Sequence, residues 1–193
     1  MKTKEMYEKL CTESVVAADI FEHLPTLKKY ADECKTVTEL GVGSGSSTWA
    51  FLASKIKKLT SIDIVPPDFY GVQQGRPDVN LQRLIDASEE AKIDFTFILH
   101  SDLEIEIEDT DLLFIDTWHV YNQLRQELLM HASKAKKYII LHDTKTFGDY
   151  GEDGGIGLMP ALTEFLFWHP EWAIKEIYNN CNGLTICTRI NSK

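Results

Sequence analysis

Short apolar runs alternate with stretches of helical spacing along most of the chain. The apolar runs predict five strands, which span residues 37–41, 59–63, 95–100, 112–116 and 138–142. Apolar residues spaced three and four apart predict helices over residues 46–55, 81–91, 118–132 and 158–168. This alternation is typical of βαβ units, so we expect an α/β fold with a mostly parallel sheet and helices on both faces.

The two ends of the chain depart from this alternation. Strand-like runs at 172–178 and 184–190 are joined by Asn and Gly residues that tolerate positive φ, which predicts an antiparallel hairpin. Residues 1–34 are expected to form a helical cap, in which Pro25 separates two short helices. Because 193 residues suit one hydrophobic core, we expect a single domain whose α/β part spans residues 35–193.

Two stretches, residues 65–78 and 145–157, are long for plain connections. Each is either a surface loop or a lid over a binding site, since long loops in compact domains often bind ligands.

Polar residues and glycines end or follow the five predicted strands. In an open parallel sheet, ligands bind outside the carboxyl ends of the strands. The residues expected to converge at that edge are Gly41, Asp63, Asp102, Asp116 and Asp143.

Composition and charge narrow the choice of partners. The formal net charge is −10, and nucleic-acid binding usually needs clustered Lys and Arg, so a nucleic-acid substrate is not expected. No run of about 18 apolar residues exists to span a membrane. The first residues lack the apolar core of a signal peptide, and four scattered cysteines are typical of reduced thiols, so we expect a cytoplasmic protein.

The segment from Thr38 to Thr48, Thr-Glu-Leu-Gly-Val-Gly-Ser-Gly-Ser-Ser-Thr, is the strongest local signal. It runs from a strand through a glycine-rich turn into a helix, whose first amides face a bound molecule. A dinucleotide fingerprint has Gly or Ala where Ser46 stands. The carboxylate of Glu39 also suits a cationic sulfonium better than a pyrophosphate. Asp63, at the end of the next strand, fits the ribose of either ligand.

Three motifs together resemble the class I S-adenosylmethionine-dependent methyltransferases. They are the glycine-rich turn from Glu39, Leu-Leu-Phe-Ile-Asp-Thr-Trp-His-Val-Tyr from Leu112, and Ile-Ile-Leu-His-Asp-Thr from Ile139. The resemblance implies a seven-stranded, mostly parallel, Rossmann-like sheet with an antiparallel C-terminal hairpin. It implies S-adenosylmethionine contacts at Glu39, Gly41, Gly43, Gly45, Ser47, Asp63 and Asp102.

The same resemblance extends to a metal site. Related catechol-type, caffeoyl-coenzyme-A-type and some sugar O-methyltransferases hold Mg²⁺ with carboxylates after the fourth and fifth strands, and Asp116 and Asp143 match those positions. Adjacent strands lie about 4.8 Å apart, so two such carboxylates can share one cation. Catechol-type enzymes have Asp-Asn where this chain has Asp143-Thr144, so the third ligand stays open.

His119 is the candidate general base, because it lies three residues after Asp116, where the catechol-type enzymes carry lysine. His142 is the rival base, although the last residue of a strand can point into the sheet packing instead.

The function predicted from these features is methyl transfer to an oxygen of a small hydroxylated molecule, sugar-like or catechol-like. Two alternatives stay open, an NAD-dependent oxidoreductase and a catalytically silent nucleotide-binding module. The sequence determines neither the acceptor nor the oligomeric state. A homo-oligomer stays open.

Overall fold

Seven strands form one sheet in the computed structural model of the chain, which describes residues 2–12, 20–76 and 78–190. The strands are β1 Thr36–Leu40, β2 Lys58–Asp63, β3 Asp94–Leu99, β4 Thr110–Ile115, β5 Ala135–His142, β6 Trp172–Tyr178 and β7 Leu184–Arg189. Their order is β3-β2-β1-β4-β5-β7-β6. β1 to β5 are parallel, whereas β7 runs antiparallel to both β5 and β6. The predicted fold class, including the C-terminal hairpin, is confirmed.

Seven α-helices accompany the sheet in the described part of the chain. They are α1 Thr3–Thr12, α2 Leu24–Ala31, α3 Ser46–Leu52, α4 Pro67–Gln73, α5 Leu81–Ala91, α6 Tyr121–His131 and α7 Leu158–Trp168. α5 and α7 have the predicted bounds. α6 begins three residues later than predicted, because Val120 is extended and precedes the first helical turn.

Successive residues of the central strands pack on opposite faces of the sheet. In β4, Leu112 and Phe114 join the apolar cluster with α1, α2, α3 and α5, whereas Leu113 and Ile115 join the cluster with α6 and α7. All four side chains are buried. A parallel strand covered on both faces needs such a continuous apolar run, which explains why the sequence marked these strands clearly.

The N-terminal part differs from the predicted pair of helices. α1, which was not predicted, buries Met6 and Leu10. Pro25 lies in the first turn of α2, where its missing N–H costs no hydrogen bond, so it does not separate two helices there. Residues 13–19, which belong to the expected helical cap, lie outside the described residues.

The stretch 65–78 contains α4, so it is not a plain loop. Pro66 is extended and Pro67 begins the helix, a favoured arrangement at a helix start. The other stretch, residues 145–157, folds back on itself through a bridge between Tyr150 and Ile156. Within the described ranges, no helix combines the length and apolar character needed to cross a membrane.

Candidate functional site

The glycine-rich turn joins the carboxyl end of β1 to α3. Gly41 has φ +81°, and a Cβ at that position would lie 1.9 Å from the carbonyl oxygen of Asp116. Glycine is therefore required where the turn passes the end of β4. Gly45 also has a positive φ and precedes the first residue of α3.

Glu39 lies beneath the turn and is fully buried. Its carboxylate accepts hydrogen bonds from the hydroxyls of Ser47 (2.5 Å), Thr48 (2.8 Å) and Ser61 (2.5 Å). Burial, only partly offset by these hydroxyls, raises the pKa of Glu39 to about 7. Glu39 does not line the large cavity at this edge of the sheet, and its expected contact with the cofactor stays a prediction. Glu39 joins α3 to β1 and β2.

Asp63 ends β2 and organises the turn from the other side. One carboxylate oxygen accepts from the amides of Val42 (2.8 Å) and Gly43 (3.0 Å), and the other accepts from the amide of Val65 (3.0 Å). Each carboxylate oxygen has two lone pairs, so acceptor capacity remains for a ligand hydroxyl.

A cavity of about 1030 Å³ lies at the carboxyl ends of β1, β2, β4 and β5. Its size suits a drug-sized ligand with further space beside it. Eight of the ten residues expected at the site line it, and Glu39 and Gly45 do not. The eight are Gly41, Gly43, Ser47, Asp63, Asp102, Asp116, His119 and Asp143.

Asp102 follows β3 and is buried against α6. One of its carboxylate oxygens accepts a long hydrogen bond from Gln123 (3.4 Å), and that amide also donates to Glu127 (2.8 Å). Burial and the neighbouring Asp102 carboxylate hold the pKa of Glu127 well above its usual range.

Two carboxylates and two imidazoles form what we call the acid–histidine cluster, made of Asp116, His119, His142 and Asp143. His119 Nε2 lies 2.8 Å from Asp143 Oδ2 and 3.3 Å from Asp116 Oδ1. His142 Nδ1 lies 3.3 Å from Asp116 Oδ1 and 3.4 Å from Asp143 Oδ2. The cluster thus joins the ends of β4 and β5 as predicted, with a second histidine included.

The sequence left open whether His142, the last residue of β5, points into the sheet packing or towards the site. Asp143 has φ +59°, a left-handed conformation that Asp tolerates better than most residues. This turn of the backbone brings the side chains of His142 and Asp143 together. His142 Nε2 donates to the carbonyl of Cys181 (3.1 Å), which leaves Nδ1 facing the carboxylates.

Mutual pairing sets the protonation of the acid–histidine cluster. Burial opposes charge on His119, but the carboxylates of Asp116 and Asp143 outweigh it and raise the pKa of His119 to about 10. The same balance raises the pKa of His142 well above its usual value. The two histidines in turn lower the pKa of Asp116 and of Asp143, against the effect of burial. These shifts all favour charge on the two imidazoles and on the two carboxylates when no cation is bound.

The donor atoms of this cluster fit a divalent cation. Ligand atoms of Asp116, His142 and Asp143 all lie within 4.8 Å of one another. Asp143 Oδ1 is buried and has no hydrogen-bond partner among the described residues. A metal ion is one partner that can satisfy a buried carboxylate oxygen of this kind. Thr144 accepts a hydrogen bond from Thr185 (2.9 Å), so His142 is the better candidate for the open third ligand.

Two residues of the site were not predicted as such. Glu152 lines the cavity, and its carboxylate lies 3.2 Å from His119 Nδ1, but it belongs to the stretch 145–157, where no strand or helix pattern marked it. His142 was considered only as a base. Its position next to Asp143 was the sequence signal that could have placed His142 in the acid–histidine cluster. Trp118 also lines the cavity and is 55% exposed.

Solved structures give the fold a context. No protein-family model and no curated protein sequence matches the chain. The fold is similar to a candidate caffeoyl-CoA O-methyltransferase from Staphylococcus aureus, with 16% identity, a TM-score of 0.58, and coverage of 87% of this chain and 83% of that one. It is also similar to an O-methyltransferase from Bacillus cereus in complex with SAH, at 14% identity and a TM-score of 0.57, over 93% and 90% of the two chains.

The N-methyltransferase NodS from Bradyrhizobium japonicum is similar too, with 15% identity, a TM-score of 0.57, and coverage of 88% and 96%. Since these similar structures include both O- and N-methyltransferases, they do not select an acceptor atom. The chain has the fold of these methyltransferases, which confirms the fold that the sequence resemblance implied.

Replacing Gly41 with alanine should destabilise the protein more than replacing Gly154. Both residues have φ near +80°, but a Cβ at Gly154 meets nothing within 4 Å, whereas one at Gly41 meets the Asp116 carbonyl. We expect Gly154→Ala to lose about 1–2 kcal/mol from the left-handed backbone alone, and Gly41→Ala to lose more. Urea unfolding measures both, and equal losses would contradict the close approach.

Proposed function

We propose that the chain transfers a methyl group from S-adenosylmethionine to an oxygen of a small hydroxylated molecule, sugar-like or catechol-like, with help from a divalent cation. The observation that carries this proposal is that one cavity joins the glycine-rich turn to the acid–histidine cluster. A cofactor on the turn would then hold its reactive end close to a base and a pair of carboxylates.

The cofactor half of the proposal rests on the turn, Asp63 and Asp102. Gly41, Gly43 and Ser47 line the cavity with little side-chain bulk, which favours close approach of a ligand. Asp63 is the proposed partner of the ribose hydroxyls, and Asp102 of the adenine amino group. Glu39 supports the turn from beneath, and its contact with the cofactor stays a prediction.

The acceptor half rests on the acid–histidine cluster. S-adenosylmethionine would supply the methyl group: the acceptor oxygen forms the new C–O bond while the C–S bond breaks and its electron pair stays on sulfur. His119 is proposed to take the acceptor hydroxyl's proton on Nε2, the nitrogen that faces Asp116 and Asp143. Because the carboxylates raise the pKa of His119 to about 10, the metal-free protein holds it protonated and unable to serve as a base at neutral pH.

Asp116, Asp143 and His142 are the proposed ligands of the cation. A bound divalent cation would hold acceptor oxygens and stabilise negative charge on the attacking one. It would also compete with His119 for the same carboxylates, which favours the neutral imidazole that catalysis needs. The mixed oxygen and nitrogen donors suit Mn²⁺ as well as Mg²⁺.

The acceptor is proposed to be a small molecule. Acidic side chains dominate the charged lining of the cavity, which disfavours a phosphate-rich acceptor. The acidic lining residues are Asp63, Asp102, Asp116, Asp143 and Glu152. Trp118 is available to pack against an acceptor ring.

Calorimetry should detect binding of S-adenosylhomocysteine and no comparable binding of NAD. Asp63→Ala should weaken S-adenosylhomocysteine binding at least about tenfold, or ~1.4 kcal/mol, because the variant loses the ribose partner and the order of the turn. Asp63→Asn keeps an acceptor for the Val42 and Gly43 amides, so it separates these two contributions. An unchanged dissociation constant in Asp63→Ala would exclude Asp63 from the cofactor site.

Removal of divalent cations should abolish methyl transfer, and Mg²⁺ or Mn²⁺ should restore it. Asp116→Asn and Asp143→Asn should each weaken Mn²⁺ binding at least about tenfold, measured by electron paramagnetic resonance. Asp111→Asn is the matched control, since Asp111 lies at the start of β4, where its carboxylate accepts from the Lys35 amide. Undiminished transfer in EDTA, or equal Mn²⁺ affinity in all variants, would indicate a metal-free site.

His119→Ala should lower turnover by roughly 10²- to 10⁴-fold, the range typical of a lost general base, with S-adenosylhomocysteine affinity nearly unchanged. His100→Ala is the matched control, because His100 also follows a strand but does not line the cavity. Steady-state kinetics with an acceptor that the wild-type protein methylates gives the comparison. If turnover of His119→Ala stays within about threefold of the wild-type value, the loss is far smaller than that expected for a missing base, and His119 is rejected in that role.

A further inference from the structure

One face of α6 carries a line of polar side chains that we call the α6 polar stripe, made of Gln123, Glu127 and His131. These residues are spaced four apart, so they follow one another along the same side of the helix. Glu127 and His131 are fully buried, and Gln123 is half-buried. The neighbouring Leu124 and Leu128 belong to the apolar cluster shared with α7. The α6 polar stripe therefore lies on a packed side of the helix and is not a solvated surface.

The contacts of the α6 polar stripe converge on Asp102, the residue that follows β3 at the edge of the cavity. The amide of Gln123 donates to Glu127 Oε1 (2.8 Å) and, over a longer distance, to Asp102 Oδ1 (3.4 Å). His131 Nε2 lies 3.0 Å from the backbone carbonyl oxygen of Asp102. Glu127 Oε1 also accepts from the hydroxyl of Thr117 (2.5 Å) beyond the end of β4. Asp102 is thus held through its side chain and its backbone.

The remaining carboxylate oxygens of Asp102 and Glu127 indicate how the two acids meet. Asp102 Oδ2 and Glu127 Oε2 are both buried and have no hydrogen-bond partner among the described residues. Two acceptors satisfy each other only through a shared proton, and the raised pKa of Glu127 favours that residue as its carrier. Asp102 lines the cavity, and because its Oδ2 is buried, Oδ1 is the oxygen that can meet a ligand.

Stability alone does not explain a buried polar stripe. Burying polar groups costs free energy, and apolar side chains of similar volume are often at least as stable in such places. Glu127 does not line the large cavity, whereas its neighbours Asp102, Gln123 and Thr117 do. Any effect of Glu127 on a ligand therefore passes through these neighbours, of which Asp102 is the acidic one.

We propose that Gln123, Glu127 and His131 are positioning residues, which hold Asp102 Oδ1 towards the 6-amino group of the cofactor's adenine and so select adenine over 6-oxo purines. The proposal rests on the function proposed above, in which Asp102 meets the adenine amino group. A 6-amino group donates hydrogen bonds, whereas a 6-oxo group only accepts them. A carboxylate that is free to turn can accept from N1–H of the 6-oxo purine instead. Selection therefore depends on a carboxylate that is held in one orientation.

Calorimetry with S-adenosylhomocysteine and with its 6-oxo analogue, S-inosylhomocysteine, tests this role. We expect the wild type to bind S-adenosylhomocysteine at least about tenfold more tightly than the analogue, and Glu127→Leu to reduce this preference to within about threefold. Glu127→Gln should keep most of the preference, because its amide offers an acceptor to Thr117 and Gln123 and an N–H to Asp102. Gln126→Leu is the matched control, since it makes a similar change at an exposed position of α6.

A purely structural stripe would weaken both ligands by the same factor, so an unchanged preference in Glu127→Leu would overturn the proposal. If circular dichroism shows that Glu127→Leu does not fold, Gln123→Met removes the amide donor at a half-buried position and should lower the preference at least about threefold. An unchanged preference in that variant would overturn the proposal equally.

The wild type separates this inference from the proposed function. Equal affinity for the two ligands would overturn the inference, whatever the activity of the protein. The expected preferences in a protein that transfers no methyl group would reject the proposed function and support the inference. Binding of neither ligand would reject both.

Discussion

The close approach of two backbones, at the ends of β1 and β4, sets the geometry of the whole site. Gly41 lies against the carbonyl of Asp116, and the amide of Asp116 donates to the carbonyl of Leu40 (2.8 Å). The glycine-rich turn starts on one side of this contact and the acid–histidine cluster on the other. Their separation is therefore fixed by main-chain atoms of neighbouring parallel strands, which are among the least adjustable parts of a fold.

Charge balance is the second constraint. The chain as a whole is strongly acidic, whereas the acid–histidine cluster sets two imidazoles against two carboxylates. Burial opposes every one of these charges, and only their mutual pairing retains them. A cation entering this cluster replaces protons, so its uptake is expected to release protons and to strengthen as the pH rises.

The sequence predicted the strands well for a physical reason: strands covered on both faces are continuous apolar runs. The same burial hid the orientation of Glu39, since β1 has no solvent face from which a side chain's direction can be inferred. α4 was missed because prolines were read as loop residues, although Pro67 is a good first helical residue. The pairing of His142 with Asp143 depends on one left-handed residue, which alternation along a strand does not anticipate.

The C-terminal hairpin reaches back to the site. Leu184, the first residue of β7, pairs with His142, and the connection before it supplies the Cys181 carbonyl that orients the His142 ring. The Asn182 carbonyl also accepts from the amides of Lys145 and Thr146. These contacts are among the last that synthesis of the chain makes possible, because the carbonyl that orients His142 and the strand that pairs with β5 both come from residues 181–189. The geometry of the acid–histidine cluster therefore depends on a segment made some forty residues after the cluster itself.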